Sequence, residues 1–434
     1  MVRDWAVLNY ATCCDAKGQF LMTKLAHDPG QIPETGRLAA TAVFLLVVVA
    51  AQLAPAQTLI VLHNFTGAID GEHPYDGVTL DRGGNLYGTA YEGGTGAGTV
   101  FKLSHQGSGW TFNTLSTFAG GGANPYAGVV FGANGTLYGT TSKGSVNGGN
   151  GTVFNLSPPP TICNSSFCPW TETLLYSFTG SPDGYGPGLG DVTFDPASNI
   201  YDTTYAGGSG YGIVYELTPS GGGWTENILH SFGYSDGAYP YSRVIRDSAG
   251  NLYGTTWGGG ANGAGTVFEL TPSGSGWTHT VLYSFQPASD GGNPYSGLMF
   301  DSSGNLYGAT SSGGSGGGGT VFKLTPAGNG TWTYSVIYSF TGANDCGPQN
   351  NLAMDQAGNL YGTTYCDGAN KLGNVFKLTP TGGGWTYTSL HDFTGGSDGE
   401  IPFCSVAFDA SGNLYGTAVT GGSRGAGTVW EITP

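Results

Sequence analysis

The sequence predicts an all-β chain folded as a seven-bladed β-propeller of four-stranded blades, and three observations carry that expectation. A phrase close to Asn-Leu-Tyr-Gly-Thr recurs seven times, with its tyrosine at Tyr87, Tyr138, Tyr201, Tyr253, Tyr307, Tyr361 and Tyr415. The steps between these tyrosines are 51, 63, 52, 54, 54 and 54 residues, a period that suits one four-stranded blade. Each repeat also divides into four short apolar runs punctuated by turn residues. Finally, a spare strand stands before the first full repeat, where a closed ring needs it.

Residues 290–340 are the cleanest copy. Ser296 to Asp301 reads as a short strand, and Ser302-Ser303-Gly304-Asn305 as a turn. Leu306 to Thr310 is a second strand, followed by a glycine-rich loop from Ser312 to Gly318. Gly319 to Thr325 is a third strand, Pro326 to Gly330 a turn, and Trp332 to Phe340 a fourth strand. Both faces of these strands carry apolar residues, as a sheet sandwiched between two neighbours requires.

The ends of the array bear on closure. Thr58 to Phe65 matches the pattern of a fourth strand, as in Thr388 to Phe393, yet it comes first. The last repeat finishes on its third strand, Gly427 to Thr433. Strand 58–65 is therefore expected to join the C-terminal blade and close the ring, which removes the open edges that invite aggregation. A linear solenoid would need caps instead.

The Asn-Leu-Tyr-Gly-Thr-Thr, Gly-Gly and Gly-Thr-Val-Phe-Lys-Leu-Thr-Pro elements resemble the GloVer tandem repeat of secreted bacterial choice-of-anchor proteins, over residues 58–434. The resemblance implies a secreted or periplasmic, propeller-like protein, and it transfers no catalytic residue. That family is described by its repeats and by varied C-terminal surface anchors. This sequence stops at Pro434 directly after a strand, so no sorting tail is expected.

Residues 1–56 stand apart from the repeats. Arg37 precedes an apolar run from Leu38 to Ala51, and Ala54-Pro55-Ala56 offers a small-x-small cleavage site. A signal peptide over 1–56 is expected, with Gln57 opening a mature propeller of 57–434. The stretch before Arg37 is long for such a signal, and Met22 is an alternative start. An uncleaved anchor competes with this reading, but the run is short for a membrane span, and none is expected in the mature chain.

Composition narrows the function classes. The 80 glycines and 22 prolines approach the range of disordered chains, but hydrophobic residues make up 39% and aromatics 13%, enough for a large core. Charged residues make up 10% with a net charge of −16, so there is no basic stripe for nucleic acid or an anionic membrane. Seven cysteines are present. Cys163 and Cys168 share the one long insertion and are expected to form a local disulfide. Among Cys346, Cys366 and Cys404 one pair is expected, without a basis for choosing the odd one. No Cys-x-x-Cys pair or histidine cluster appears in sequence, so neither metal nor cofactor is expected. The mature chain is expected to be a monomer.

Two repeated motifs look chemical. The Asp-x-x-Gly-Asn turns at Asp81, Asp195, Asp247, Asp301, Asp355 and Asp409 read as structural, because Asp accepts hydrogen bonds from its own turn and Gly supplies positive φ. The seventh copy has Gly132, so no site needs all the carboxylates. The Asp-Gly-x-x-Pro-Tyr loops are more suggestive. Asp70, Asp183, Asp236, Asp290 and Asp398 precede the prolines, while Tyr75, Tyr126, Tyr241, Tyr295 and Phe403 follow them. In a propeller these loops share a face with those begun by Tyr91, Tyr205, Trp257 and Tyr365. One face is thus expected to carry aromatics and acids around the channel, suited to stacking on sugars and accepting hydroxyl hydrogen bonds. Packing of the turns between blades is the simpler account of the same tyrosines.

Specific function is expected where copies differ. At the entrance of the innermost strand stand Gly77, Gly128, Asp191, Arg243, Gly297, Asn351 and Ser405. Asp191 and Arg243 are polar replacements in consecutive blades, read either as an ion pair or as ligand contacts. Arg246 replaces an apolar residue, and His73, Tyr185 and Tyr239 are further unshared residues. The candidate ligand-binding set is Tyr75, Tyr126, Tyr185, Asp191, Tyr205, Tyr241, Arg243, Trp257 and Tyr295. The leading expectation is a non-catalytic module binding extracellular glycan or protein. A polysaccharide hydrolase or lyase and an inert surface scaffold are the alternatives. Only Arg82, Arg243, Arg246 and Arg424 remain after residue 56, too few and too scattered for a sialidase-like cluster, and no nucleophile elbow appears.

Overall fold

The computed structural model describes residues 57–433 apart from 108, 120, 145–148, 160–169, 188–189 and 275. The expected signal peptide and the expected Cys163–Cys168 pair lie outside the described residues. Strand β1 (Thr58–Asn64) opens the described chain. Blade one follows, with β2 (Thr79–Leu80), β3 (Leu86–Ala90), β4 (Thr99–Gln106) and β5 (Gly109–Thr117) in simple antiparallel order. Six further sheets repeat this pattern from a two-residue innermost strand to a long outermost one, giving a seven-bladed propeller. No helix among the described residues is long and apolar enough to cross a membrane.

Closure occurs as the spare strand requires. In blade seven β1 pairs antiparallel with Thr428–Thr433, from Thr58 opposite Thr433 to Asn64 opposite Thr428. The same seam is sealed by packing: Tyr415 and Val429 of blade seven share a core with Phe65, Val78, Leu86 and Phe101. Each of the other seams has an equivalent core, for example Tyr307, Val321 and Phe340 of blade five against Leu352, Leu360 and Phe376 of blade six. A phenylalanine at the end of every outermost strand (Phe65, Phe118, Phe178, Phe232, Phe285, Phe340, Phe393) is wholly or almost wholly buried. The hydrophobic effect therefore holds blade to blade as firmly as hydrogen bonds hold strand to strand.

The repeated polar residues build the turns. Asp301 accepts hydrogen bonds from the Ser303 and Asn305 amides, the Asn305 side chain and the Tyr307 hydroxyl. This explains why aspartate, asparagine and tyrosine recur together. The αL position after the aspartate is filled by glycine, as at Gly304 with φ 80°, except in blade three, where Ser198 holds φ 70°.

Two loops depart from the pattern. Most blades join their incoming loop to the chain just beyond their second strand by a single bridge, as Glu72 to Glu92 or Ala238 to Gly258. In blade three the second strand is lengthened to Ile200–Ala206, and Tyr185–Pro187 pairs with it as a fifth strand. In blade six the bridge is replaced by a disulfide between Cys346 and Cys366. Among the described residues Cys404 is the free cysteine, buried, its sulfur accepting from the Thr417 amide at 3.4 Å. Burial pushes that thiol up to about 12, the inert protonated form.

A candidate binding face at the channel mouth

Loops between blades, and loops between the second and third strands within blades, emerge on one face. They bring the predicted aromatics together in two groups. In the first, Tyr75 stacks on Tyr126 with ring centroids 4.3 Å apart. Tyr91 packs edge-on to both, and Phe403 closes the group at 6.0 Å from Tyr75. In the second, Tyr241 lies 5.0 Å from Tyr205 and 4.9 Å from Tyr295, with Trp257 edge-on at 6.4 Å. Phe403 is buried; Tyr75, Tyr126, Tyr205, Tyr241, Trp257 and Tyr295 keep part of their surface open. Tyr185 stands further out, 43% exposed. Burial raises the Tyr126 hydroxyl far above its ordinary value, and Tyr75, Tyr91, Tyr295 and Tyr365 add to it. Rings from widely separated repeats thus converge on one mouth, although the Tyr position is taken by Gln349 before blade six.

The loop aspartates do not join this ring. Each turns outward, bonding the outermost strand it follows: Asp70 to His63 at 3.1 Å, Asp183 to Tyr176 at 3.1 Å, Asp236 to His230 at 2.9 Å and Asp398 to His391 at 3.0 Å. Each also accepts a hydrogen bond from an amide of its own loop, as from Thr66, Thr179, Gly233 and Thr394. The expected acidic ring is corrected accordingly, since these carboxylates fix loop geometry at the rim. Arg246, expected at a blade interface in place of an apolar residue, has its guanidinium over the turn at Gly250.

The acids at the mouth come from positions one layer deeper. Asp191 and Arg243 form the expected ion pair at 3.5 Å. Beside them lies Asp76, a buried residue that sequence reasoning passed over. Its carboxylate accepts from the amides of Gly77 at 2.7 Å and Gly128 at 2.9 Å and from the Asn350 side chain at 3.3 Å. Ser405 donates to Asn350 at 2.8 Å, and Asn351 accepts from the Gly297 amide at 2.7 Å, so the lining is one polar belt. Desolvation and the adjacent Asp76 push the Asp191 carboxyl up to about 7, against the pull of Arg243. Asp191 Oδ1 and Arg243 Nε have no hydrogen-bond partner.

A second missed residue lies behind this pair. Asp202 takes the place of glycine in Asn-Leu-Tyr-Gly-Thr and is fully buried, both carboxylate oxygens lacking a hydrogen-bond partner. Desolvation drives it well above the usual carboxylate range, with the Asp191 charge adding and Arg243 opposing. The sequence signal was available at both positions. Asp76 stands where the other blades have Ala127, Gly190, Ser242, Ser296, Asn350 and Cys404, and Asp202 breaks an otherwise constant Gly.

Gly190, Ser242, Tyr295, Gln349, Asn350, Asn351 and Phe403 enclose a cavity of about 10 Å³, room for roughly one water. A larger groove of about 790 Å³ lies on the opposite face between blades five and six, lined by Tyr307, Lys323, Met354 and Trp385 among others. The candidate face therefore offers aromatic edges over a polar floor.

Among solved structures, PorZ, described as an essential bacterial surface component of the type-IX secretion system of Porphyromonas gingivalis, is similar at 17% identity and a TM-score of 0.51. The alignment covers 83% of this chain and 46% of PorZ, so the chain spans about half the length of that protein, and the likeness is one of fold. A putative gluconolactonase aligns at 15% identity and a TM-score of 0.40, over 73% of this chain and 92% of the other. A putative oxidoreductase (glucose dehydrogenase) from Thermus thermophilus aligns at 14% identity and a TM-score of 0.40, over 87% of this chain and 100% of the other. No curated protein matches the sequence significantly. The Gloeobacter/Verrucomicrobia repeat matches residues 48–192, 111–299 and 275–434, overlapping spans that take in the whole array, and the chain belongs to that family.

Proposed function

We propose that this chain works outside the cytoplasm as a non-catalytic binding module, holding a glycan or a protein against the channel-mouth face. The observation that carries the reading is the half-open set of Tyr75, Tyr126, Tyr205, Tyr241, Trp257 and Tyr295 around a polar floor of Asp76, Asn350 and Ser405. Aromatic edges and faces stack on sugar rings, and Asn, Ser and carboxylate groups beneath them accept and donate hydroxyl hydrogen bonds. The same chemistry suits a protein ligand with an extended polar loop. An extracytoplasmic setting is supported by the Cys346–Cys366 disulfide, by the apolar run before Ala54-Pro55-Ala56 and by the surface location stated for PorZ.

The test is binding of the purified protein to a broad glycan array, repeated with Trp257→Ala and Tyr241→Ala. Selective binding that both variants weaken at least tenfold, with circular dichroism unchanged, supports the glycan reading. A blank from folded protein moves the ligand to protein, and unfolding of both variants would return these rings to blade packing.

One observation favours a catalytic reading: Asp191, raised to about 7 beside Asp76 and Arg243, has the protonation of a general acid. It predicts slow glycan turnover that Asp191→Asn abolishes without loss of binding.

A further inference from the structure

At the outer rim, seams between blades are closed by paired side chains from successive outermost strands. His63 stacks on Phe112 with centroids 3.9 Å apart, Tyr283 on Tyr334 at 4.0 Å and Tyr338 on Tyr387 at 4.8 Å. At another seam the Tyr176 hydroxyl donates to Glu226 at 3.1 Å. The seam between blades three and four differs. His230, on Gly223–Ser231, stacks on His279, on Gly276–Ser284, with centroids 4.1 Å apart and planes within 7°. Asp236, from the loop joining the two blades, lies 2.9 Å from His230 Nε2. One ligating atom from each of the three residues lies within 4.8 Å of the others.

This trio combines what the other seams hold separately. His63–Asp70 and His391–Asp398 repeat the His–Asp contact, so that contact alone is a loop tie. What the repeat does not explain is His279, whose Nε2 is buried without a hydrogen-bond partner. A buried ring nitrogen with no partner forgoes the hydrogen bond that water would give it, unless something else takes its lone pair.

We propose that His230, Asp236 and His279 bind a borderline divalent transition-metal ion, Zn²⁺ in the first instance, which clamps blade three to blade four. Zinc takes imidazole nitrogen and carboxylate oxygen at about 2.0–2.2 Å, which puts tetrahedral ligand atoms roughly 3.3 Å apart. The His230–Asp236 separation of 2.9 Å is already close to that spacing, and His279 reaches the same ion by turning out of its stack on His230, since parallel rings cannot aim their in-plane lone pairs at one point. Two imidazoles and one carboxylate favour zinc, cobalt or nickel over calcium or magnesium, which take oxygen ligands. The Asp236 side chain is 31% exposed, so a water can fill the fourth position from the solvent side.

The repeat supplies its own folded controls. His279→Phe recreates the His63–Phe112 pairing, and His230→Tyr places a tyrosine as at Tyr283. Metal-stripped full chain is titrated with Co²⁺, followed by its visible d–d bands, and with Zn²⁺ by calorimetry near neutral pH. Expected are one ion per chain, intense tetrahedral-type Co²⁺ bands, and a thermal midpoint raised by several degrees when Zn²⁺ is added. His279→Phe and His230→Tyr remove all three signals while remaining folded by circular dichroism; His63→Tyr leaves them intact. Asp236→Asn weakens Zn²⁺ at least about tenfold. No binding by the parent chain overturns the proposal, and so does binding that survives His279→Phe.

Discussion

Blade five and blade three are built from the same repeat, yet they treat their interiors differently. In blade five Gly308 faces Phe322 across the sheet, and a Cβ at 308 would sit 2.6 Å from the Phe322 ring. In blade three the same register pairs Asp202 with Tyr215. Blade five enters its innermost strand through Gly297 and turns at Gly304; blade three uses Asp191 and Ser198. These departures are not scattered. Asp191 and Asp202 act on one another and on Arg243 of the next blade, so the irregular blade concentrates buried ionisable groups in one place. A propeller tolerates this because each blade is clamped by two neighbours, and a local loss is spread over a closed ring.

The largest effect is expected from carrying the blade-three residue into blade five. Gly308→Asp forces a Cβ and a carboxyl against Phe322 and Leu298, and should destabilise by about 4 kcal/mol or more, read from urea unfolding. A shift below about 1 kcal/mol would show that any blade can accept the substitution. The reverse exchange, Asp202→Gly with Tyr215→Phe, removes an unpartnered buried carboxyl and should stabilise by about 2 kcal/mol near neutral pH. Destabilisation of the double variant would mean that Asp202 and Tyr215 satisfy one another.

The same acids set a pH dependence whose sign is fixed. An unfolded Asp titrates near 3.9, whereas native Asp191 titrates at about 7, so between those values the native state holds more protons. Stability should therefore fall as pH rises from about 4 to about 7, by at most about 1.4 kcal/mol per unit for this group, and be level for it outside that window. Asp191→Asn should flatten that slope. An unchanged slope in Asp191→Asn would contradict a buried, raised carboxyl; the comparison with the parent is needed because the lowered His63, His230 and His279 contribute the opposite slope in the same window. The smallest effect is at the turn: Ser198→Gly relieves a positive φ of 70° and should add about 1 kcal/mol, while Gly304→Ser in blade five should cost a similar amount.

Much of this was legible in the chain. The period of the tyrosine phrase gave the blade count. The spare strand 58–65 gave the closure, because backbone hydrogen bonding leaves few ways to satisfy an unpaired edge. The turn aspartates read correctly as structural, since their partners, Asn305 and Tyr307 for Asp301, lie a few residues away. The aromatic face was placed by counting which loops alternate between the two faces. Sequence patterns failed where a residue near in sequence lies on another element and competes for the side chain. The loop aspartates were assigned to the mouth, but side chains such as His63 and Tyr176, seven residues before them, draw them to the rim.

By itself, then, the sequence determined the repeat, the strand order within each blade and the ring, because all three follow from local turn chemistry and from apolar periodicity. Only the tertiary structure decided that Cys346 pairs with Cys366, that Asp76 lies beside Asp191, and that His230 stacks on His279. Ring closure packs blade against blade, and it places side chains 20, 115 or 49 positions apart within contact. No local pattern of residues encodes those distances; they arise from how seven twisted sheets share one axis.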